Sequence, residues 1–287
     1  MYDTLISAEE LARALAQPGR DDILVLDCGF DLTDAQAGRR HYDAGHILGA
    51  AYVHLEDTLS GTKTGGNGRH PLPDRTAFAQ AMAALGVSRQ TQVVAYDNAG
   101  GMYAARLWWL LRWIGHDAVA VLDGGEGAWK AAGCPLTTDA PAKRAAGALP
   151  VRDSRQPTLG YVQLRQALAA GGRVVLDARA ADRYRGENET LDAVGGHIPG
   201  ACNRFFRDNL GADGRFLPAD QLRQAFLLRM DGRAPTDVIS QCGSGVTACH
   251  NLLAMEVAGL TGATLYPGSW SEWSAQPDAP IATGPAA

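Results

Sequence analysis

Paired cysteines are missing from this sequence of 287 residues. Cys28, Cys134, Cys202, Cys242 and Cys249 are odd in number and scattered, and no C-x-x-C occurs. That argues against a disulfide framework or a zinc site and for free thiols in a reducing cytoplasm. Long hydrophobic runs are also missing. The longest purely apolar stretches, residues 107–111 among them, are five residues long, far short of the roughly 20 residues a membrane span needs. The first seven residues lack a basic start followed by an apolar stretch, so no secretory leader is expected. Basic charge is scarce too: the net charge is −5 and no basic stripe appears. Nucleic acid is therefore not expected as the main partner.

What is present is ordinary in amount and unusual in order. Hydrophobic residues make up 46% and charged residues 20% of the chain, enough for a sizeable core. The chain is written twice. Ile23-Leu-Val-Leu-Asp27 matches Arg173-Val-Val-Leu-Asp177, and Gly45-His-Ile-Leu-Gly-Ala50 matches Gly196-His-Ile-Pro-Gly-Ala201. Gln92-Val-Val-Ala-Tyr-Asp97 matches Asp237-Val-Ile-Ser-Gln-Cys242, and Trp129 matches Trp273. The order is kept and the offset nearly constant, as in a duplication. Two domains are expected, residues 1–136 and 158–287. Residues 137–157, rich in Ala, Pro and Thr, read as a linker.

Each half alternates short β-branched runs with helical patterns. Ser7-x-x-Glu10 is a capping box, and Asp74 can cap a helix running to residue 85. Strands are expected at 23–27 and 91–96, a helix at 104–114 and a strand at 119–122. Strands alternating with helices predict an α/β class with a mostly parallel sheet in each domain. Sites in such sheets lie at the carboxyl ends of the strands.

One loop occupies that position with chemistry to offer. Cys242-Gly243-Ser244-Gly245-Val246-Thr247-Ala248 follows a strand-like run and precedes a helix expected over 247–257. Loop amides can converge into an anion nest, and the helix N-terminus adds its positive field. Such a setting favours a thiolate without a neighbouring base. The first half has Asp97 at this place, in a loop one residue longer. Aspartate is no sulfur nucleophile, so the chemistry is expected in the second half only.

Here the chain resembles the two-domain rhodanese-type sulfurtransferases over nearly its whole length. The loop Cys242-Gly-Ser-Gly-Val-Thr-Ala248 is similar to that of the 3-mercaptopyruvate branch, whereas thiosulfate-preferring members carry basic residues after the cysteine. Asp177-Ala-Arg179, Gly196-His-Ile-Pro-Gly200, Asn203, Gly268-Ser-Trp-Ser-Glu-Trp273, Gly68-Arg-His-Pro-Leu-Pro73 and Asp123-Gly-Gly125 also fit. The resemblance implies two tandem rhodanese-like domains and a double displacement without metal or organic cofactor. Cys242 would take sulfur from a small anionic donor, 3-mercaptopyruvate or thiosulfate. It would then pass that sulfur to cyanide, a small thiol or thioredoxin. The amides of Gly243, Ser244, Gly245, Val246 and Thr247 would hold the anionic sulfur.

Donor binding needs cations, and Arg179, Arg183 and Arg185 are the candidates, Arg183 foremost by resemblance. The mercaptopyruvate branch has a second arginine some nine residues on, where this chain has Asp192; Arg185 is a candidate replacement. Ser244 is a candidate hydrogen-bond donor to the substrate. His250 reads as structural, and His46 and His197, which recur in both halves, read as turn-stabilising. His46 or Arg69-His70 is a further contributor available from the first half. A C-x5-R phosphatase loop is excluded by Ala248 at the arginine position. A persulfide carrier serving a protein partner remains an alternative reading.

Overall fold

The computed structural model describes residues 1–17 and 22–285. The chain divides into two compact units, each assembled from three stretches.

The first unit comprises Met1–Gly61, Pro73–Arg155 and Leu210–Phe216. Its elements are β1 (Leu5–Ile6), α1 (Ala8–Leu15), β2 (Ile23–Asp27), α2 (Ala37–Ala44), β3 (His46–Ile47), β4 (Ala51–Tyr52), α3 (Arg75–Ala84), β5 (Gln92–Tyr96), α4 (Met102–Trp113), β6 (Val119–Leu122), α5 (Gly125–Ala131) and β7 (Leu136–Thr137). Five strands form one sheet in the order β1-β6-β5-β2-β4, and every pairing in it is parallel. The expected caps are present. Ser7 and Glu10 close a capping box on α1, and Asp74 accepts the Thr76 and Ala77 amides at the start of α3. Helix α4 is buried along most of its length, Trp108 and Trp109 included.

Residues 137–155 are not a free linker. β7 pairs antiparallel with β3, the Gly147 amide donates to the Ala83 carbonyl at 2.8 Å, and the Arg152 amide donates to that of Ile114 at 2.9 Å. The stretch lacks periodicity because it is a strap, held by its backbone against several elements in turn.

The second unit comprises Thr62–Leu72, Gln156–Asn209 and the chain from Leu217. Its elements are α6 (Tyr161–Ala170), β8 (Val174–Asp177), α7 (Ala181–Arg185), β9 (Cys202–Asn203), α8 (Ala219–Met230), β10 (Val238–Gln241), α9 (Thr247–Val257), β11 (Thr264–Leu265) and α10 (Ser269–Trp273). The sheet runs β11-β10-β8-β9, again parallel throughout. Thr158 extends it by a single parallel bridge to Leu265, a remnant of the edge strand that β1 forms in the first unit.

The repeat extends to side chains. Tyr42 stacks on His46 at 3.9 Å and Tyr184 on His197 at 3.8 Å, both nearly coplanar. Each histidine Nδ1 meets the carbonyl of its own tyrosine, at 2.8 and 2.9 Å. Trp129 donates to the Pro135 carbonyl and Trp273 to that of Pro280, each at 2.9 Å. These matched clamps brace the turns beyond the sheet edges, the task expected of the two histidines.

Candidate active site

β10 ends at Gln241 and α9 begins at Thr247, so Cys242 stands at the carboxyl end of a central strand. Its side chain is 2% exposed. The Gly245 amide donates to its sulfur at 3.1 Å. Below it, the Cys242 amide donates to the Ser269 hydroxyl at 3.1 Å, and the Cys242 carbonyl accepts the Trp270 amide at 2.9 Å. The loop is fixed from both sides. Gly245 has φ +78°, and a Cβ there would meet the Pro267 carbonyl oxygen at 2.4 Å. Both the left-handed conformation and the close approach require glycine. α9 starts at Thr247, so the positive end of the helix lies beside the loop.

Two guanidiniums stand over Gly243. A Cβ built on that glycine would lie 2.8 Å from Arg69 Nη2 and 3.5 Å from Arg183 Nη2. Arg183 lies on α7 and is 19% exposed along its side chain; Arg69, 26% exposed, comes from the stretch Thr62–Leu72 of this unit. The arginines are embraced by carboxylates. Arg183 bonds Glu189 in fork geometry at 2.8 to 3.2 Å, and Arg69 pairs with Asp192. Burial pushes the Glu189 carboxyl up, but Arg183 and the Leu191 amide outweigh it and hold it below its ordinary value. Ser244 Oγ lies 2.8 Å from His70 Nδ1, and both side chains are buried.

Arg179 takes a different place. It is 2% exposed, bonds Asp177 through Nε and Nη2, and donates to the Gly196 carbonyl at 2.7 Å. It also lies 4.7 Å over the Trp270 ring. Burial alone lowers its pKa, but Asp177, Glu189 and Cys242 raise it above the ordinary value. Its donors are committed to the interior, which suits a strut beneath the loop rather than a donor ligand. Arg185 lies elsewhere. It pairs with Glu187 at 2.7 Å and lines a separate cavity with Cys202, Asn203 and Arg229. Residues two apart on a helix point to opposite faces, so Arg183 and Arg185 do not converge. The cation beside Arg183 is Arg69.

His250 is fully buried, 3.3 Å from the Asn209 amide and edge-on to Phe206, the structural role expected of it. Among the described residues there is no cluster of His, Cys, Asp or Glu suited to hold a metal ion. No helix there is long and apolar enough to cross a membrane.

The chain has counterparts among known proteins. Residues 7–132 and 161–276 each match the Rhodanese-like domain. A Pseudomonas aeruginosa protein named "Probable 3-mercaptopyruvate sulfurtransferase" is 47% identical over 282 residues, covering 98% of both chains. A thiosulfate sulfurtransferase of Cricetulus griseus is 33% identical, covering 99% of this chain and 97% of its own. The structure of 3-mercaptopyruvate sulfurtransferase from Leishmania major superposes with a TM-score of 0.83 at 29% identity, over 95% of this chain and 74% of that one. With both halves matched and relatives aligned from end to end, the chain belongs to the rhodanese family, carrying the domain twice.

Proposed function

We propose that this rhodanese-family sulfurtransferase moves a sulfane sulfur from a small anionic donor, 3-mercaptopyruvate foremost, to a thiophilic acceptor through a persulfide on Cys242. One observation carries the reading: the Gly245 amide points at the Cys242 sulfur while Arg69 and Arg183 stand over the next residue. The loop is thus built to hold an anion on sulfur and a second anion beside it.

The step balances simply. The Cys242 thiolate attacks the donor sulfur, and the carbon–sulfur bond breaks. Its electron pair leaves as the enolate of pyruvate, which takes up a proton. An acceptor such as cyanide or a thiol, thioredoxin included, then attacks the outer sulfur and returns the Cys242 thiolate. The same cysteine serves both halves, so ping-pong kinetics are expected. The loop amides are preorganised donors for the sulfur anion, and the arginines suit the donor carboxylate through paired hydrogen bonds. In this reading Ser244, held by His70, donates to the ketone oxygen, a group that thiosulfate does not have. Gly243 and Ser244, in place of cations after the cysteine, also favour mercaptopyruvate, as does the name of the 47% identical relative.

The test is intact mass of the reduced protein after brief exposure to 3-mercaptopyruvate or to thiosulfate, beside Cys242→Ser. One added sulfur in the wild type alone, and more readily from mercaptopyruvate, is expected. Equal loading from thiosulfate would make that the donor. No loading from either would sink the reading.

A further inference from the structure

Asp192 occupies the position where the resemblance leads one to expect an arginine, and its surroundings give the carboxylate work. It is 7% exposed along its side chain. Oδ1 pairs with Arg69, whose Nη1 also donates to the Leu191 carbonyl at 3.4 Å. Oδ2 is buried without a hydrogen-bond partner and lies 3.6 Å from Arg183 Nη2. The Asp192 amide is fixed by Glu189 Oε1 at 3.2 Å, so the carboxylate is held in position from its own backbone. One buried carboxylate therefore faces both guanidiniums that overhang Gly243.

The three arginines at the loop each have carboxylate partners. Arg69, Arg179 and Arg183 are met by Asp177, Glu189 and Asp192. The arginines are compensated by the protein itself, so an arriving anion adds uncompensated charge. A monoanionic donor adds one unit and a dianion two. Repulsion from a nearby fixed carboxylate scales with that number and is weakly screened at a buried site.

We propose that Asp192 is a specificity residue: a resident counter-ion of the Arg69–Arg183 pair that a donor's anionic group must displace or share, and that selects singly charged donors over dianions. The proposal rests on the reading of Cys242 as sulfur carrier and of the arginine pair as donor ligand. Its effect lies on donor binding, so KM changes and kcat does not.

The experiment compares wild type, Asp192→Asn and Asp192→Glu with 3-mercaptopyruvate and thiosulfate as donors and cyanide as acceptor. Asp192→Asn is expected to raise the ratio of kcat/KM for thiosulfate to that for mercaptopyruvate about tenfold, through KM. Asp192→Glu keeps the charge and is expected to retain the wild-type preference. An unchanged ratio in Asp192→Asn, or an equal rise of KM for both donors, overturns the proposal and makes Asp192 a structural partner of Arg69. A second arm needs no sulfur transfer. In Cys242→Ser, sulfate and pyruvate binding are measured by calorimetry with and without Asp192→Asn. A gain for sulfate larger than that for pyruvate is expected, and equal gains or none overturn the proposal. If no persulfide forms in the wild type, the catalytic reading falls while this arm still decides the role of Asp192.

Discussion

Asp97 and Cys242 stand at the same point of the two units, just past a central parallel strand, and the loops that follow are put to opposite uses. In the first unit the aspartate folds back into its own loop. Oδ1 accepts the Ala99 and Gly101 amides at 2.8 Å, and Oδ2 accepts those of Tyr103 and Ala104 at 2.9 Å. The extra residue of this loop serves a nest that already contains its anion. In the second unit the side chain is a sulfur, and the Gly245 amide points at it. The frame below is shared: the Asp97 carbonyl accepts the Glu126 amide as the Cys242 carbonyl accepts that of Trp270. Gly125 at φ +55° corresponds to Ser269 at φ +54°. A serine in that conformation costs about 1 kcal/mol, and its hydroxyl holds the Cys242 amide, which a glycine cannot do. The second unit tolerates local strain at Ser269 to hold the Cys242 amide, and the first unit has a glycine there instead.

The largest expected difference is chemical. Cys242→Ser is expected to lower sulfur transfer by about a thousandfold or more while leaving the fold intact, since one atom changes. Steady-state assay beside circular dichroism checks this, and residual turnover near wild type would remove Cys242 from the mechanism. Next is stability. Asp97→Asn deprives two buried amides of their acceptor and is expected to cost about 3 kcal/mol by denaturant unfolding. Persulfide formation on Cys242 should survive in conditions where the variant is folded. A cost below about 1 kcal/mol would mean that the filled nest contributes little.

Arg183→Ala is expected to lower kcat/KM for the donor by more than tenfold, about 1.4 kcal/mol. An unchanged value would leave Arg183 as a mere partner of Glu189. The smallest effect concerns the strand-end aspartates. Asp27 and Asp177 make the same turn, accepting the amide two residues on at 2.8 and 3.0 Å. Residue 29 is glycine where Arg179 meets Asp177. Burial raises the Asp27 carboxyl above its ordinary value, partly opposed by Tyr96 and the Gly29 amide. Between the ordinary carboxylate value, about 4, and that raised value, the folded chain binds more protons than the unfolded one. Stability therefore falls with rising pH in that window. Asp27→Asn is expected to flatten the fall, as unfolding midpoints measured across pH 4 to 7 would reveal; an unaltered slope would clear Asp27 of it.

The sequence carried the duplication, the caps of α1 and α3, the helix from residue 247 and the loop at Cys242, because each is a local pattern or a repeat of one. Arg69 was visible only as part of a motif. Its pairing with Asp192 spans 123 residues, and no spacing rule reaches that far. The sequence offers Arg185 as a second cation, but α7 is five residues long, too short for its period to show that Arg183 and Arg185 point apart. The strap at 137–155 and the stretch Thr62–Leu72 were hidden for a third reason. Both are held by backbone bonds and single side chains, which leave no apolar rhythm. The four amides on Asp97 were foreshadowed by the longer loop, but their convergence on one carboxylate needed coordinates.

The filled nest also bears on descent. Where a duplicated domain turns an acidic side chain onto four amides, three of them buried, a cysteine in its place strips most of them of their acceptor. At about 1 to 3 kcal/mol for each one left unsatisfied, a single substitution back would threaten the fold before it could restore any chemistry. Asp97 thus works as a ratchet: exchanging it for a sulfur would cost the first unit its filled nest before it offered any chemistry.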